Sequence, residues 1–285
     1  MDTQFIRLLR FSDPDGAVWY GEATSLVDPD EVLGKSVEVF EGGEPWTSSF
    51  RKTGSTRKVQ QILCPLAKTP LFCCVGLNYK THIEETGMKT PQVPALFFKG
   101  PESLAGPLDV VEVHNECPAM DYEGELCAII GKPCKNLKDS DDALSYVLGY
   151  AVGNDVSCRY WQERAGPAYA KSFDGFAPIG PFITSLKALP DANDLRLTTK
   201  VNGETRQDAR TNDLLFDVGA IIRFLSRGRT LTPGTVIMTG TPSGVALGSK
   251  PPRWLKDGDV VEIEIENLGV IRNRFVIPPV TEVRL

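Results

Sequence analysis

Apolar residues along this 285-residue chain recur mostly at every second position or in short unbroken runs, and seldom with helical spacing. "FIRLLRF", "AVWYGEA" and "KSVEVFEG" read as short strands between the turn clusters "SDPDG" and "EGGEP". "STRKVQQILCPL" reads as a connector ending at Pro65. Beyond it, "LFCCVGL", "ALFFKG" and "GELCAIIG" are buried strands, and "YKTHIEETG" is a short helix stopped by Gly87. "DSDDALSYVLGYAVGND" opens with Asp and Ser capping residues, runs as a helix and becomes the strand "GYAVGND". Asn202-Gly203 is the favoured two-residue turn of a hairpin, "LLFDVGAIIRFLSRG" has helical apolar spacing with Gly228 at its end, and "GTVIMTGTPSG" is a buried strand entering a loop. "DGDVVEIEIENLGVIRNRFV" is a terminal hairpin. Strands outnumber helices without a regular β-α-β rhythm, which predicts an α+β, mainly β fold rather than a doubly wound sheet. Residues 1–68 read as a small N-terminal β-rich domain and 69–285 as a larger catalytic one.

The chemistry starts in "DYEGELCAIIGK", where Asp121, Glu123 and Glu125 alternate and so share one strand face. Crowded carboxylates entering a core repel and lose hydration unless a cation joins them. Glu123 and Glu125 can both address one ion, and Asp155, ending "GYAVGND", is the best third ligand. Such a set selects Mg²⁺ or Mn²⁺, with Ca²⁺ as an alternative. Two histidines and no cysteine cluster disfavour zinc. The competing reading is a solvated strand face paired with Lys or Arg.

His82 and Glu85 are three apart, so one helical face holds an imidazole and the carboxylate that would orient it as a general base. His114 reads as structural, and nothing near Cys117 would orient it as a nucleophile. Lys99, Arg159, Gln162, Lys171, Thr239 and Thr241 are cations and small polar groups suited to an anionic substrate with carboxylate or enolate oxygens, and Tyr79 joins them as a substrate-side candidate. "GTPSG" lacks the Gly-Lys-Ser/Thr of a phosphate loop, and no G-x-G-x-x-G follows a strand.

Composition narrows the partners. A net charge of −6 without a basic block argues against nucleic acid. No window approaches 18 consecutive apolar residues, which argues against a membrane span. The start "MDTQFIRLLRFSDPDG" has charges inside its apolar stretch and no small-residue cleavage site, so it does not read as a secretory signal. Seven scattered cysteines with no C-x-x-C read as thiols of a reducing compartment.

Taken in order, "GLNYKTHIEE", "ALFFKG", "DYEGELCAIIGK", "GNDVSCRYWQ", "AKSFDGFAPIGP", "VNGETRQ" and "MTGTPSGV" resemble the fumarylacetoacetate hydrolase family over about residues 70–277. The front module and the tail resemble its branch of domain-containing-protein-2 relatives and bacterial and fungal enzymes. The resemblance implies a mixed β-roll or distorted β-barrel, a homodimer, and Mg²⁺ or Mn²⁺ on Glu123, Glu125 and Asp155. It implies a His82–Glu85 dyad on a lid-like segment, Lys171 beside the ion, and Arg159, Gln162 and Thr241 lining the substrate pocket. The main activity it implies is hydrolysis or decarboxylation of a small anionic 2-keto acid or 1,3-dicarbonyl compound, such as an acylpyruvate or oxaloacetate, through an enolate. The alternatives are oxaloacetate keto-enol tautomerisation, or a hydrolase or decarboxylase of a fungal biosynthetic pathway. The expected compartment is the cytoplasm, with the mitochondrion as the alternative.

Overall fold

A computed structural model describes residues 3–23 and 28–279. The outer ends of the two proposed domains, residues 1–2 and 280–285, lie outside the described residues.

The apolar run after the acids is the strand Gly124–Ile130, buried at every position. Burial on both faces explains its lack of alternation. Leu126, Ala128 and Ile130 enter one apolar cluster, and Cys127 and Ile129 a second. Antiparallel neighbours flank it: Val147–Asn154 on one side and Val236–Met238 on the other. Val236–Met238 continues, in parallel, to Phe72–Gly76 and then to Ala95–Lys99. In the other direction Val147–Asn154 pairs with Ala177–Thr184, which pairs with the N-terminal strand Arg7–Ser12. From there the sheet runs through Val18–Glu22 and Ser36–Glu41 to Arg51–Lys58. The strands before residue 68 thus hydrogen-bond into the sheet that carries the acids. That sheet has two free ends, so the mainly β fold is not a closed barrel. A second sheet orders Glu204–Arg210, Arg196–Val201, Val260–Ile265, Gly269–Val276 and Val111–Glu112. Among the described residues no helix is long and apolar enough to cross a membrane.

Local signals decide several elements. Asn202 and Gly203 both have positive φ, 51° and 80°, as the hairpin turn requires. The helix Lys80–Thr86 ends at Gly87 with φ 66°. The helix Val218–Leu225 is capped by Asp217, whose carboxylate accepts from the Ala220 N–H.

Two expectations change. The supposed connector, which starts at Ser55, holds the second half of the strand Arg51–Lys58 and all of Gln61–Leu63. The first is an almost fully exposed edge strand without apolar residues, so alternation has nothing to reveal. The helix read at residue 139 shrinks to one 3₁₀ turn, Ala143–Tyr146. The strand takes over at Val147 because the run that follows is buried on both faces.

Gly124, between the two glutamates, sits where a Cβ would come 2.5 Å from Thr199 Oγ1 and 3.1 Å from Ile263 Cγ2. Gly124→Ala is expected to cost about 1–3 kcal/mol by overpacking. Urea unfolding checks this, and an unchanged midpoint would contradict the close approach.

Candidate active site

Glu123, Glu125 and Asp155 converge from neighbouring strand ends, with one oxygen from each within 4.8 Å of the others. The register places them: Gly124 pairs with Asn154, and the Asp155 N–H donates to Glu123 O at 2.9 Å. All three are at most 6% exposed, which removes the solvated-face reading. Asp121, first in the alternation, does not join them. It pairs with Ser157 in a separate two-stranded ribbon, and its carboxylate accepts from the N–H groups of Tyr122, Ala246 and Leu247 and from Arg159 Nε.

Three buried cations answer these acids. Lys171 Nζ lies 2.8 Å from Glu123 and 2.7 Å from Asp155. Lys99 Nζ lies 2.6 Å from the other Asp155 oxygen. Arg159 bridges Asp121 at 2.8 Å and Glu123 at 2.6 Å, and donates to Gln162 Oε1 at 2.7 Å. Burial pushes the Glu123 carboxyl up, but Lys171 and then Arg159 outweigh it and hold it well below the usual carboxylate range. Glu125 is treated differently. Burial, then Asp155 and Glu123, push its pKa well above the ordinary value. Among the described residues its carboxylate accepts from the Gly240 N–H, at 2.7 Å. Four acids including Asp121 face three cations, and the deficit falls on Glu125. An all-oxygen donor set with an unbalanced carboxylate fits a hard divalent cation held by Glu123, Glu125 and Asp155.

The helix Lys80–Thr86 carries the histidine expected from the sequence to act as a base. His82 Nδ1 is 3.0 Å from Glu85 Oε2, and the other Glu85 oxygen accepts from the Gly244 N–H at 2.9 Å. Burial raises the Glu85 pKa, but the His82 and Gly244 hydrogen bonds outweigh it and hold it below its ordinary value.

A cavity of about 330 Å³ opens onto some of these groups. His82, Glu123, Arg159, Gln162, Lys171 and Thr241 line its polar part, and Leu96, Phe97, Met88 and Leu247 are among its apolar walls. Glu85, Glu125 and Asp155 stand behind its lining residues His82 and Glu123, and Lys99, Tyr79 and Thr239 also lie outside it. Lys99 sits beneath, fully engaged by Asp155 and Phe176 O. Tyr79 is fully buried, and its hydroxyl has no hydrogen-bond partner among the described residues. The Thr239 hydroxyl donates to Leu126 O.

Two groups that matter here escaped the sequence reading. Asn78 donates to Phe216 O and Thr239 O and accepts from the Phe216 N–H, fixing the segment before the His82 helix. Gln207 ties the acid strand to the Thr241 loop. Their partners lie more than 30 residues away in sequence, so no local pattern marks them, although "VNGETRQ" contains Gln207.

Comparison with known proteins follows the same outline. The family description "Fumarylacetoacetate (FAA) hydrolase C-terminal" matches residues 72–276. The mitochondrial oxaloacetate tautomerase Fahd2a of Rattus norvegicus is 38% identical over 265 residues, 90% of this chain and 84% of that protein. The fumarylacetoacetate hydrolase domain-containing protein 2 homolog of Dictyostelium discoideum is 44% identical over 212 residues, 70% of this chain and 69% of that protein. Among solved structures, the 2-hydroxyhepta-2,4-diene-1,7-dioate isomerase of Mycobacterium marinum superposes with a TM-score of 0.82 at 33% identity, covering 96% of this chain and 99% of that one. With a family match over most of its length and relatives this similar, the chain belongs to the fumarylacetoacetate hydrolase family.

Proposed function

We propose that this protein interconverts the keto and enol forms of a small anionic 2-keto acid, with oxaloacetate as the reference substrate. The observation that carries the reading is one cavity whose described lining residues include Glu123 of the buried carboxylate nest, two fixed cations and a single oriented imidazole. Such a site favours an enolate and can move one proton. The names of the rat and Mycobacterium marinum proteins turn the choice toward isomerisation and away from the hydrolysis or decarboxylation expected first.

When bound, a hard divalent cation at Glu123, Glu125 and Asp155 supplies Lewis-acid polarisation of the keto group. The chain does the rest. Arg159 and Lys171 hold positive charge against the substrate's carboxylate and developing enolate oxygen. Glu85 occupies His82 Nδ1, which leaves Nε2 as the base for the proton on C3 and as the acid that returns it. The relatives named as mitochondrial make the mitochondrion the compartment we propose. The homodimer stays a proposal from the family resemblance.

The test follows the ultraviolet absorbance of enol-oxaloacetate with Mg²⁺ or Mn²⁺, with nuclear magnetic resonance to identify products. His82→Asn is expected to lower the catalysed rate by about 10²–10⁴-fold. An unchanged rate would remove His82 from the chemistry. Pyruvate as the product, with no catalysed keto-enol exchange, would replace tautomerase with decarboxylase.

A further inference from the structure

We infer that Gln207 fixes the polarity of the Thr241 hydroxyl, making it a hydrogen-bond donor aimed at a substrate oxygen. The argument starts from a fully determined amide. Gln207 is 1% exposed and lies on the hairpin strand Glu204–Arg210. It accepts from the Gly124 N–H at 3.0 Å. A backbone N–H can only donate, so the atom facing it is the amide oxygen. Nε2 is thereby directed at Thr241 Oγ1, 2.8 Å away, and at Pro242 O, 3.0 Å away. Both amide hydrogens are then used.

Thr241 must accept one of them. Its own proton remains, and among the described residues it donates to no acceptor. Thr241 is 4% exposed and lines the cavity together with Lys171, Arg159 and His82. The remaining direction for that proton is the cavity. A substrate carboxylate or enolate oxygen is an acceptor without a proton of its own, so it meets a donor already oriented, at no cost in reorganisation. Gln207 touches no substrate; it is a positioning residue. The same side chain holds the Gly124 N–H between two of the carboxylates, so the acid nest and the donor are set from one point.

The inference rests on the proposal that a keto acid binds in this cavity, but it is tested by binding rather than turnover. The probe is oxalate, which presents two adjacent carboxylates, titrated calorimetrically into full-length protein in Mg²⁺ buffer. Thr241→Val is expected to weaken oxalate about tenfold or more, the usual scale for a hydrogen bond to a charged group. Thr241→Ser should recover most of that loss. Gln207→Met should weaken oxalate in the parent protein and have no further effect in the Thr241→Val background. Equal losses from Gln207→Met in both backgrounds would reduce Gln207 to a scaffold residue and overturn the inference. If Gln207→Met does not fold, the threonine series decides: Thr241→Val binding oxalate as tightly as the parent means the proton does not face the ligand. No measurable oxalate binding to the parent protein also overturns it. Absence of tautomerase activity with the binding cycle intact would instead remove only the proposed reaction.

Discussion

Glu125→Gln is expected to abolish divalent-cation dependence while making the cation-free protein more stable at neutral and alkaline pH. Burial beside two other carboxylates raises the Glu125 pKa well above an ordinary carboxylate's. The folded, cation-free protein therefore keeps a proton that the unfolded chain releases near pH 4.3. Stability must fall as pH rises above about 4.3, until the folded group also ionises. Glutamine fills the same space without that burden, so the alkaline slope should flatten. Glu123 acts in the opposite sense. Its depressed pKa gives stability that is present above the ordinary carboxylate value and lost as pH falls, so the acid limb should remain. Adding Mg²⁺ or Mn²⁺ should stabilise the parent by mass action and leave the variant unmoved. The catalytic loss should approach about 10³-fold in kcat/KM, corresponding to several kcal/mol of charge stabilisation. Thermal unfolding across pH, with chelator and with cation, checks both halves. A parent protein indifferent to chelator in both stability and rate would end the cation assignment.

Lys171→Met is the second large effect. The ammonium touches two buried carboxylates, and removing it leaves both short of charge. Breaking a buried pair from one side costs about 3–5 kcal/mol. For a chain of this size that is a fall of roughly 10 °C in Tm. Divalent cation should restore part of the loss, because it supplies charge to the same oxygens. Lys171 is also the largest influence holding the Glu123 pKa down, so the stability lost should be greatest above the ordinary carboxylate pKa and the fall in stability on acidification should shrink. Catalysis should collapse even with cation present, since Lys171 lines the cavity. A melting temperature unchanged by Lys171→Met in chelator would show that the ammonium is not neutralising the nest.

What was legible in the sequence divides along a physical line. Where one residue decides a backbone state, as Gly87 and Asn202-Gly203 do, the element followed from local chemistry. Buried strands announced themselves as apolar runs. Arg51–Lys58 did not, because an exposed edge strand of Lys, Arg, Ser and Thr is held by its partner's hydrogen bonds and not by its own pattern. The stretch from Asp139 misled because its Asp and Ser capping signal is real but local, and burial of Val147–Asn154 overrides it. At the site, acid alternation and His-Glu spacing singled out groups that the fold does bring to one place. The alternation could not tell that Asp121 turns away to Arg159, nor that Lys99 lies under the nest and not at the cavity. Asn78 and Gln207 were invisible for a related reason: an amide's value here lies in which distant backbone groups it reaches.

The N-terminal strand has a consequence for biosynthesis. Its Ser12 end is paired locally with Gln61–Leu63, but Arg7 and Leu8 pair with Thr184 and Ile183. At about 5–20 residues per second, the ribosome delivers those partners roughly 10–35 seconds after the first strand emerges. During that interval the nascent chain carries a short unmatched edge, and a chaperone that shields it would raise the yield of native protein without touching the finished enzyme.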